Sequence, residues 1–419
     1  MSESRERVRK ALNHEEPDRV PLDLGSTGVS GIAASALTQL RRGLGLEERR
    51  VKVHEPFQML GMVEDDVREA LGVDVVGLEG DGTFFGFPAR DWKPFTLFDG
   101  TPVLVPGKFN TELNPDGSLY QYPLGDKQYE PSGRMPAGGF YHDAIEREDP
   151  FEPEDLDPEA WVADMAHVLT DEELRLLEDR GRDLWENTPY AIVAGLPGAS
   201  FGDIALVPAT QAPHPVGIRS VEEWYMAAAL YPDFVKQALE LQCDIAMQNL
   251  PLLYEAYGDR VVALMISGTD FGAQHGPFIS PKLYRSLYMP LHKRINDWIH
   301  ENTPWKTFYH SCGSMVALYD DFVEAGVDIV NPVQISAKGM DPRELKRRWG
   351  DKLVFWGGGV DTQGALPFGT PEDVAEQVAE LVEIWRPGGG YVFNTVHNVQ
   401  ASIPQENLMA LYETLMSVR

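Results

Sequence analysis

The sequence predicts an α/β fold of the (β/α)8 TIM-barrel type, and three observations carry that expectation. Short apolar runs alternate with amphipathic helical stretches along the chain, an alternation that makes the strands parallel. Eight such strand-then-helix units can be read, the number that closes a barrel. Polar residues suited to chemistry gather just after the strands, where barrels of this type keep their sites. The 419 residues suit one barrel with insertions or two average domains. An open doubly wound sheet is the alternative arrangement of the same units.

Glu3 to Asn13 has helical spacing, with Val8, Ala11 and Leu12 on one side, and it ends before Pro17. Residues 20–25 read as a first strand leading into a Gly/Ser-rich loop, residues 30–47 and 58–71 as helices, and residues 73–79 as a second buried strand. Between 81 and 150 aromatics, glycines and prolines alternate. The Asn114-Pro115-Asp116-Gly117 turn signal suggests one or two hairpins there, so this stretch is expected to be a β-rich rim insertion on a single domain spanning 1–419. Residues 143–186 are acidic and mostly helical. Further strands are expected at 190–195, 261–267, 307–311, 328–332, 353–357 and 391–396. The expected helices are 221–231, 233–257, 281–302, 316–325, 342–349, 371–385 and 403–417.

Composition narrows the function. With 65 acidic and 36 basic residues the formal charge is −29, which repels nucleic-acid phosphates and anionic bilayers alike. Neither is an expected partner. No apolar stretch approaches the roughly 20 residues of a membrane span. The charged start, Met1 to Arg7, has no apolar core, so no signal peptide is expected. Two cysteines make no disulfide framework, and a cytoplasmic location is the expectation.

The sharpest chemical signal is Tyr309-His310-Ser311-Cys312-Gly313, closing the fifth expected strand. Residues two apart in a strand share a face, and an imidazole beside a thiolate is half of a tetrahedral zinc site. The competing reading is a buried structural cysteine next to a backbone-bonded histidine. His397, where the last strand turns into its loop, would be a third ligand and leave a fourth position open, the layout of a catalytic zinc. It could equally cap backbone. Asp23, Glu79, Asp270, Asn331 and Asn394 also fall at strand ends. For Asp23 and Asn331 a capping role is the alternative. Gly357-Gly358-Gly359 lacks the spacing and the lysine of a phosphate loop and reads as a tight turn.

Several of these pieces occur together with others: residues 5–21, Ser280-Pro281-Lys282-Leu283-Tyr284, Pro290 to Arg294, His310-Ser311-Cys312-Gly313-Ser314, the Trp356 to Asp361 turn, and Asn394 to Asn398 with Pro404 to Asn407. In this order they make the chain resemble the uroporphyrinogen decarboxylase superfamily over nearly its whole length. True decarboxylases of that group carry an arginine-rich segment after the first strand for the substrate's many carboxylates. Here that place is Asp23 to Ser30, without arginine. An octacarboxylate needs charge-assisted partners, so porphyrinogen decarboxylation is not expected. The other branch resembles corrinoid-dependent methyltransferases, which bind zinc through a His-x-Cys at the fifth strand and a late cysteine. His310 and Cys312 match the first two positions. The late cysteine is missing, since the other cysteine is Cys243 on a helix, and His397 is the available substitute.

The resemblance therefore implies a methyltransferase that binds zinc through His310, Cys312 and His397. Its methyl group would move between a corrinoid on a partner protein and a small donor or acceptor. Asp270 would act as acid/base or hydrogen-bond acceptor, with Glu79 as a second carboxylate. Gln274, Tyr309, Asn331 and Asn394 would line the pocket. A homodimer is compatible with this reading. A metal-independent decarboxylase or lyase acting on a smaller acid is the alternative, and a non-catalytic binding relative the third.

Overall fold

The computed structural model describes residues 2–148 and 150–419. Met1, in the charged N-terminal stretch, and Asp149, in the acidic stretch and rim segment, lie outside the described residues. Seven strands form one curled, all-parallel sheet in sequence order: Val75–Leu78, Ala191–Gly195, Val261–Ser267, Lys306–His310, Ile329–Asn331, Val354–Trp356 and Tyr391–Val392. A doubly wound sheet would reverse its order at a switch point; this one does not.

The eighth stave is residues 21–23. Leu22 bridges Phe393 in parallel. Phe393 N–H donates to Pro21 O at 2.8 Å, and Asp23 N–H donates to Phe393 O at 2.9 Å. On its other side Asp74 N–H donates to Leu22 O at 2.8 Å. The first expected strand is thus reduced to a single bridge, yet it bonds both edges of the sheet, and the architecture is barrel-like.

The interior follows from the period of two along each strand. Val75, Val193, Ala263, Phe308, Ile329 and Val354 point inward and form one cluster, which Val8, Ala11 and Leu12 of the helix Glu3–Leu12 join. Arg5 Nε donates to Tyr190 O at 2.9 Å, and Gly390 N–H donates to Ala11 O at 2.9 Å. Both carbonyl and amide precede strands, so the helix plugs the N-terminal end of the barrel and leaves the C-terminal end as the mouth. A second, larger core lies between strands and outer helices.

Three expectations change. The helix expected at 58–71 occupies only Asp65–Leu71. Before it, the Glu55 carboxylate accepts Phe57 and Gln58 N–H at 2.8 and 2.7 Å, making a turn, and Leu60–Gly61 then pairs back on a strand at Val51–Glu55. That strand pairs in parallel with Pro102–Val105, so the rim's β-structure draws on residues before 81. The expected helix 281–302 is two, Pro281–Leu287 and Met289–Asn302, parted at Tyr288 just before Pro290, which has no N–H to continue the ladder. The acidic stretch holds two helices, Pro158–Ala163 and Asp171–Asn187, and a short 3-10 turn at Pro153–Asp155. The hairpins expected over 81–150 appear as Lys93–Thr96 with Pro102–Val105 and as Leu119–Gln121, Gly133–Met135 and Asp143–Ala144.

Asp74, fully buried, joins these parts. Its carboxylate accepts Arg7 Nη1 at 2.6 Å, Ser4 Oγ at 2.8 Å, Leu22 N–H at 3.1 Å and Arg19 Nη2 at 3.2 Å. Removing one partner of a buried ion pair strands the other charge, at about 3–5 kcal/mol. Asp74→Ala should therefore lower stability by about that amount, read as a lower urea midpoint; an unchanged midpoint would mean the knot holds nothing together.

Candidate functional site

At the mouth the inward-facing layer becomes polar. Phe308 and His310 face in, so Tyr309 faces out: its hydroxyl donates to Asn296 Oδ1 at 2.9 Å on the outer helix, and its ring packs on His292 at 4.7 Å. Tyr309 thus lies outside the mouth. On the next strand Asn331 stands in register with His310, and the two side chains meet at 2.6 Å between His310 Nδ1 and Asn331 Oδ1. Asn331 Nδ2 donates to Trp356 O at 2.7 Å, which fixes the amide so that its oxygen accepts. His310 therefore carries its proton on Nδ1 and its lone pair on Nε2, 3.4 Å from Cys312 Sγ.

The turn that carries Cys312 is clamped along its backbone. Ser311 N–H donates to Asn331 O at 2.7 Å, Cys312 N–H to Asp270 Oδ1 at 2.6 Å, and Gly313 N–H to Gln334 Oε1 at 2.7 Å. Gly313 has φ +86°, and a Cβ there would lie 2.4 Å from Gly272 C; only glycine lets the two loops touch. Gln274 braces the same contact. Its Oε1 accepts Gln334 Nε2 at 2.9 Å and its Nε2 donates to Ser336 O at 2.6 Å, so its amide is engaged between loops.

His397 completes the group. The donor atoms of His310, Cys312 and His397 all lie within 4.8 Å of one another, with the rings 5.4 Å apart at 76°. Unlike His310, His397 uses Nδ1 as an acceptor, from Asn398 N–H at 2.8 Å, so the neutral ring holds its proton on Nε2. Burial holds both imidazoles neutral, each down to about 4. Burial first, then the Asp270 charge, pushes the Cys312 thiol well up. Burial also raises Asp270, against the pull of the Cys312 N–H and His397.

Other strand-end residues take different places. Asp23 is buried with its oxygens engaged: Oδ2 accepts Trp356 Nε1 at 2.9 Å and Ser26 Oγ at 2.8 Å, and Oδ1 accepts Ser26 N–H at 3.1 Å. It shapes the loop. Asn394 Nδ2 donates to Asp23 O at 3.1 Å and Ser30 O at 3.3 Å, while its buried Oδ1 has no partner among the described residues. Glu79 lines a cavity of about 590 Å³ beside the first three strands of the sheet; that cavity is not lined by the His-Cys-His group. Asp203, which the sequence reading missed, lines it too. Asp203 lies in the long loop after Ala191–Gly195, a stretch with no periodicity to flag it. Burial, with a contribution from Asp270, raises it to about 7, and its charge also bears on Cys312. Tyr225 donates to Asp270 O at 3.3 Å.

The uroporphyrinogen decarboxylase (URO-D) family profile matches residues 205–418, just over half the chain. The chain belongs to the URO-D family. Relatives named uroporphyrinogen decarboxylase include those of Pseudoalteromonas translucida, 26% identical over 172 residues, and Vibrio campbellii, 26% over 184. These matches cover 38% and 40% of this chain and 46% and 48% of the relatives, so the chain spans about half the length of the curated relatives it matches. A solved structure named as a methyltransferase from Methanosarcina mazei aligns at TM-score 0.54 and 14% identity, over 99% of this chain and 98% of that one. At that identity the likeness is one of fold. No helix among the described residues is long and apolar enough to cross a membrane.

The raised Asp203 fixes a pH dependence. The folded state binds its proton more tightly than the unfolded chain, so wild-type stability falls as pH rises from about 4 to about 7. Asp203→Asn removes that loss. Its stability relative to wild type should increase between pH 5.5 and pH 8, measured by thermal unfolding at both; a pH-independent difference contradicts the assignment.

Proposed function

We propose that this URO-D family protein transfers a methyl group between a corrinoid carried by a partner protein and a small methyl donor or acceptor bound at the barrel mouth. In this reading a zinc ion is held by His310, Cys312 and His397. The observation that carries it is the convergence of those three donors within 4.8 Å. The fold neighbour named as a methyltransferase supports it. The same reading treats residues 1–419 as one barrel domain with a rim segment, and a homodimer remains compatible with it.

The residues suit zinc. His310 presents the Nε2 lone pair, because its Nδ1–H donates to Asn331 Oδ1, the outer-partner arrangement that orients metal-bound histidines. Cys312 would ligate as thiolate, giving up its proton on binding. His397 would be the third ligand, its Nδ1 lone pair being the one that now accepts Asn398 N–H. When bound, zinc supplies Lewis acidity toward a thiol, an alcohol or a methylated heteroatom. Asp270, held by Cys312 N–H, then serves as acid/base or as hydrogen-bond acceptor for the substrate. Glu79 is the second carboxylate, and Asn394 Oδ1 is an acceptor with no competing partner among the described residues. Asn331 and Gln274 act by holding His310 and the Cys312 turn in place.

The second reading is a metal-independent decarboxylase or lyase on a smaller acid. The names of the relatives and the neighbouring Asp203 and Asp270 favour it. The two readings part on Cys312. Under methyl transfer, wild type purified without chelator carries near-stoichiometric zinc by elemental mass spectrometry, and Cys312→Ala loses both zinc and turnover. A metal-free wild type, or a fully active Cys312→Ala, moves the assignment to the lyase.

Asn331→Ala should weaken zinc binding about 10–100-fold without removing a ligand, read by competition with a chelating dye. Unchanged affinity would dismiss Asn331 as the orienting partner.

A further inference from the structure

Of the three converging donors, His397 alone has no side-chain hydrogen-bond partner among the described residues. Its ring is set by one contact, Asn398 N–H to Nδ1 at 2.8 Å. A ring held in this way is placed only as well as the residue that supplies the N–H. Asn398 is 1% exposed, and both atoms of its amide are engaged. Oδ1 accepts Gly31 N–H at 2.5 Å, while Nδ2 donates to Gly28 O and to Gln58 Oε1, each at 2.8 Å. Gly28 and Gly31 belong to the loop after the first stave. Gln58 belongs to the rim.

Gln58 is locked in turn. Its Nε2 donates to Gly28 O at 3.2 Å and its N–H to the buried Glu55 carboxylate at 2.7 Å. His142, next to the rim strand Asp143–Ala144, holds the same turn from outside. Its N–H donates to Phe57 O at 2.8 Å, and its Nδ1 lies 2.9 Å from Pro56 O, an acceptor that assigns the ring proton to Nδ1. One line of hydrogen bonds therefore runs from the rim at His142, through the turn Pro56–Gln58, to Asn398 and His397.

We propose that Gln58 and Asn398 are positioning residues for His397, so that the rim turn sets where the third donor stands. A buried amide with all its bonds made resists rotation, since turning it would strand a donor or an acceptor. The arrangement parallels Trp356 O and Asn331 behind His310 but differs in reach. Asn331 touches the His310 ring directly from a barrel strand, whereas His397 is held through a backbone amide whose anchor lies in the rim. If Asn398 were only a staple between loops, the His397 ring would not register its loss. The proposal rests on the metal reading for what His397 serves; the orientation of the ring does not depend on it.

The test is nitrogen NMR of the full-length protein labelled with 15N-histidine, first without metal and at neutral pH. His397→Ala and His310→Ala identify the two pairs of ring signals. Wild type should show one neutral tautomer at His397, with Nδ1 bare and Nε2 protonated, and the opposite tautomer at His310. In Asn398→Ala and in Gln58→Ala the two His397 signals should move toward each other as the tautomers mix, while those of His310 stay in place. Unmoved His397 signals in both variants overturn the proposal. An equal change at His310 overturns it too, because the mouth is then disturbed as a whole. With zinc added, Asn398→Ala should bind the metal about tenfold more weakly than wild type, by competition with a chelating dye; an unchanged affinity overturns the role at the metal. A wild type that takes up no zinc removes the methyl-transfer reading, and the metal-free spectra still decide whether Gln58 and Asn398 position His397.

Discussion

A parallel sheet of seven strands has two open edges, and everything at the mouth depends on how they are joined. Residues 21–23 join them with backbone bonds to Phe393 on one side and Asp74 on the other. So short a stave has few bonds of its own, and the Asp74 carboxylate reinforces it through Leu22 N–H while gripping Arg7 of the plugging helix. Closure and plugging are therefore one event. With the N-terminal end sealed by Val8, Ala11 and Leu12, the opposite ends of the strands are left to carry chemistry.

The same register that packs the interior builds the site. Inward positions that hold Phe308 and Ile329 one layer down hold His310 and Asn331 at the top. From there one line of hydrogen bonds runs from Trp356 O through Asn331 and His310 to Cys312. A buried polar chain of this sort has value only when every member is satisfied, and here each donor has one defined acceptor. That fixes the tautomer of His310 through backbone geometry. His397 has no such support, being set by its own neighbour Asn398, so the third donor is the adjustable one.

Much of this was legible in the sequence. Alternation marked all eight staves, and the two-residue spacing put His310 and Cys312 together before any coordinates. His397 entered as the only candidate for a missing cysteine, and the fold brings it to the pair. Tyr309 was misjudged although the signal was present: a strand that turns His310 inward turns its neighbour outward. Val51-Lys52-Val53-His54-Glu55 alternates cleanly, a strand signal lying between the two stretches of helical spacing. Gln274 was expected against substrate; its loop-to-loop bonds are tertiary and leave no local trace. Asp203 had no sequence signal at all, since only the folded loop carries it to the end of the third strand of the sheet.

Asp203 and Glu79 line the cavity beside the first three strands of the sheet. Other acids are ion-paired, Asp164 with Arg219, Asp321 with Arg285 and Asp328 with His300, or met by neutral donors, as Asp23 and Glu55 are. Asp203, partly buried, and Glu79, exposed, have no cation partner among the described residues. The overall charge of −29 is of the same sign, and a field of one sign around a cleft concentrates ligands of the other. Near the mouth, polyanions are met by Asp203, Glu79 and Asp270, with no arginine in the Asp23 to Ser30 loop. No lysine or arginine stands in that loop or, among the described residues, along the wall of the cavity that Asp203 and Glu79 line.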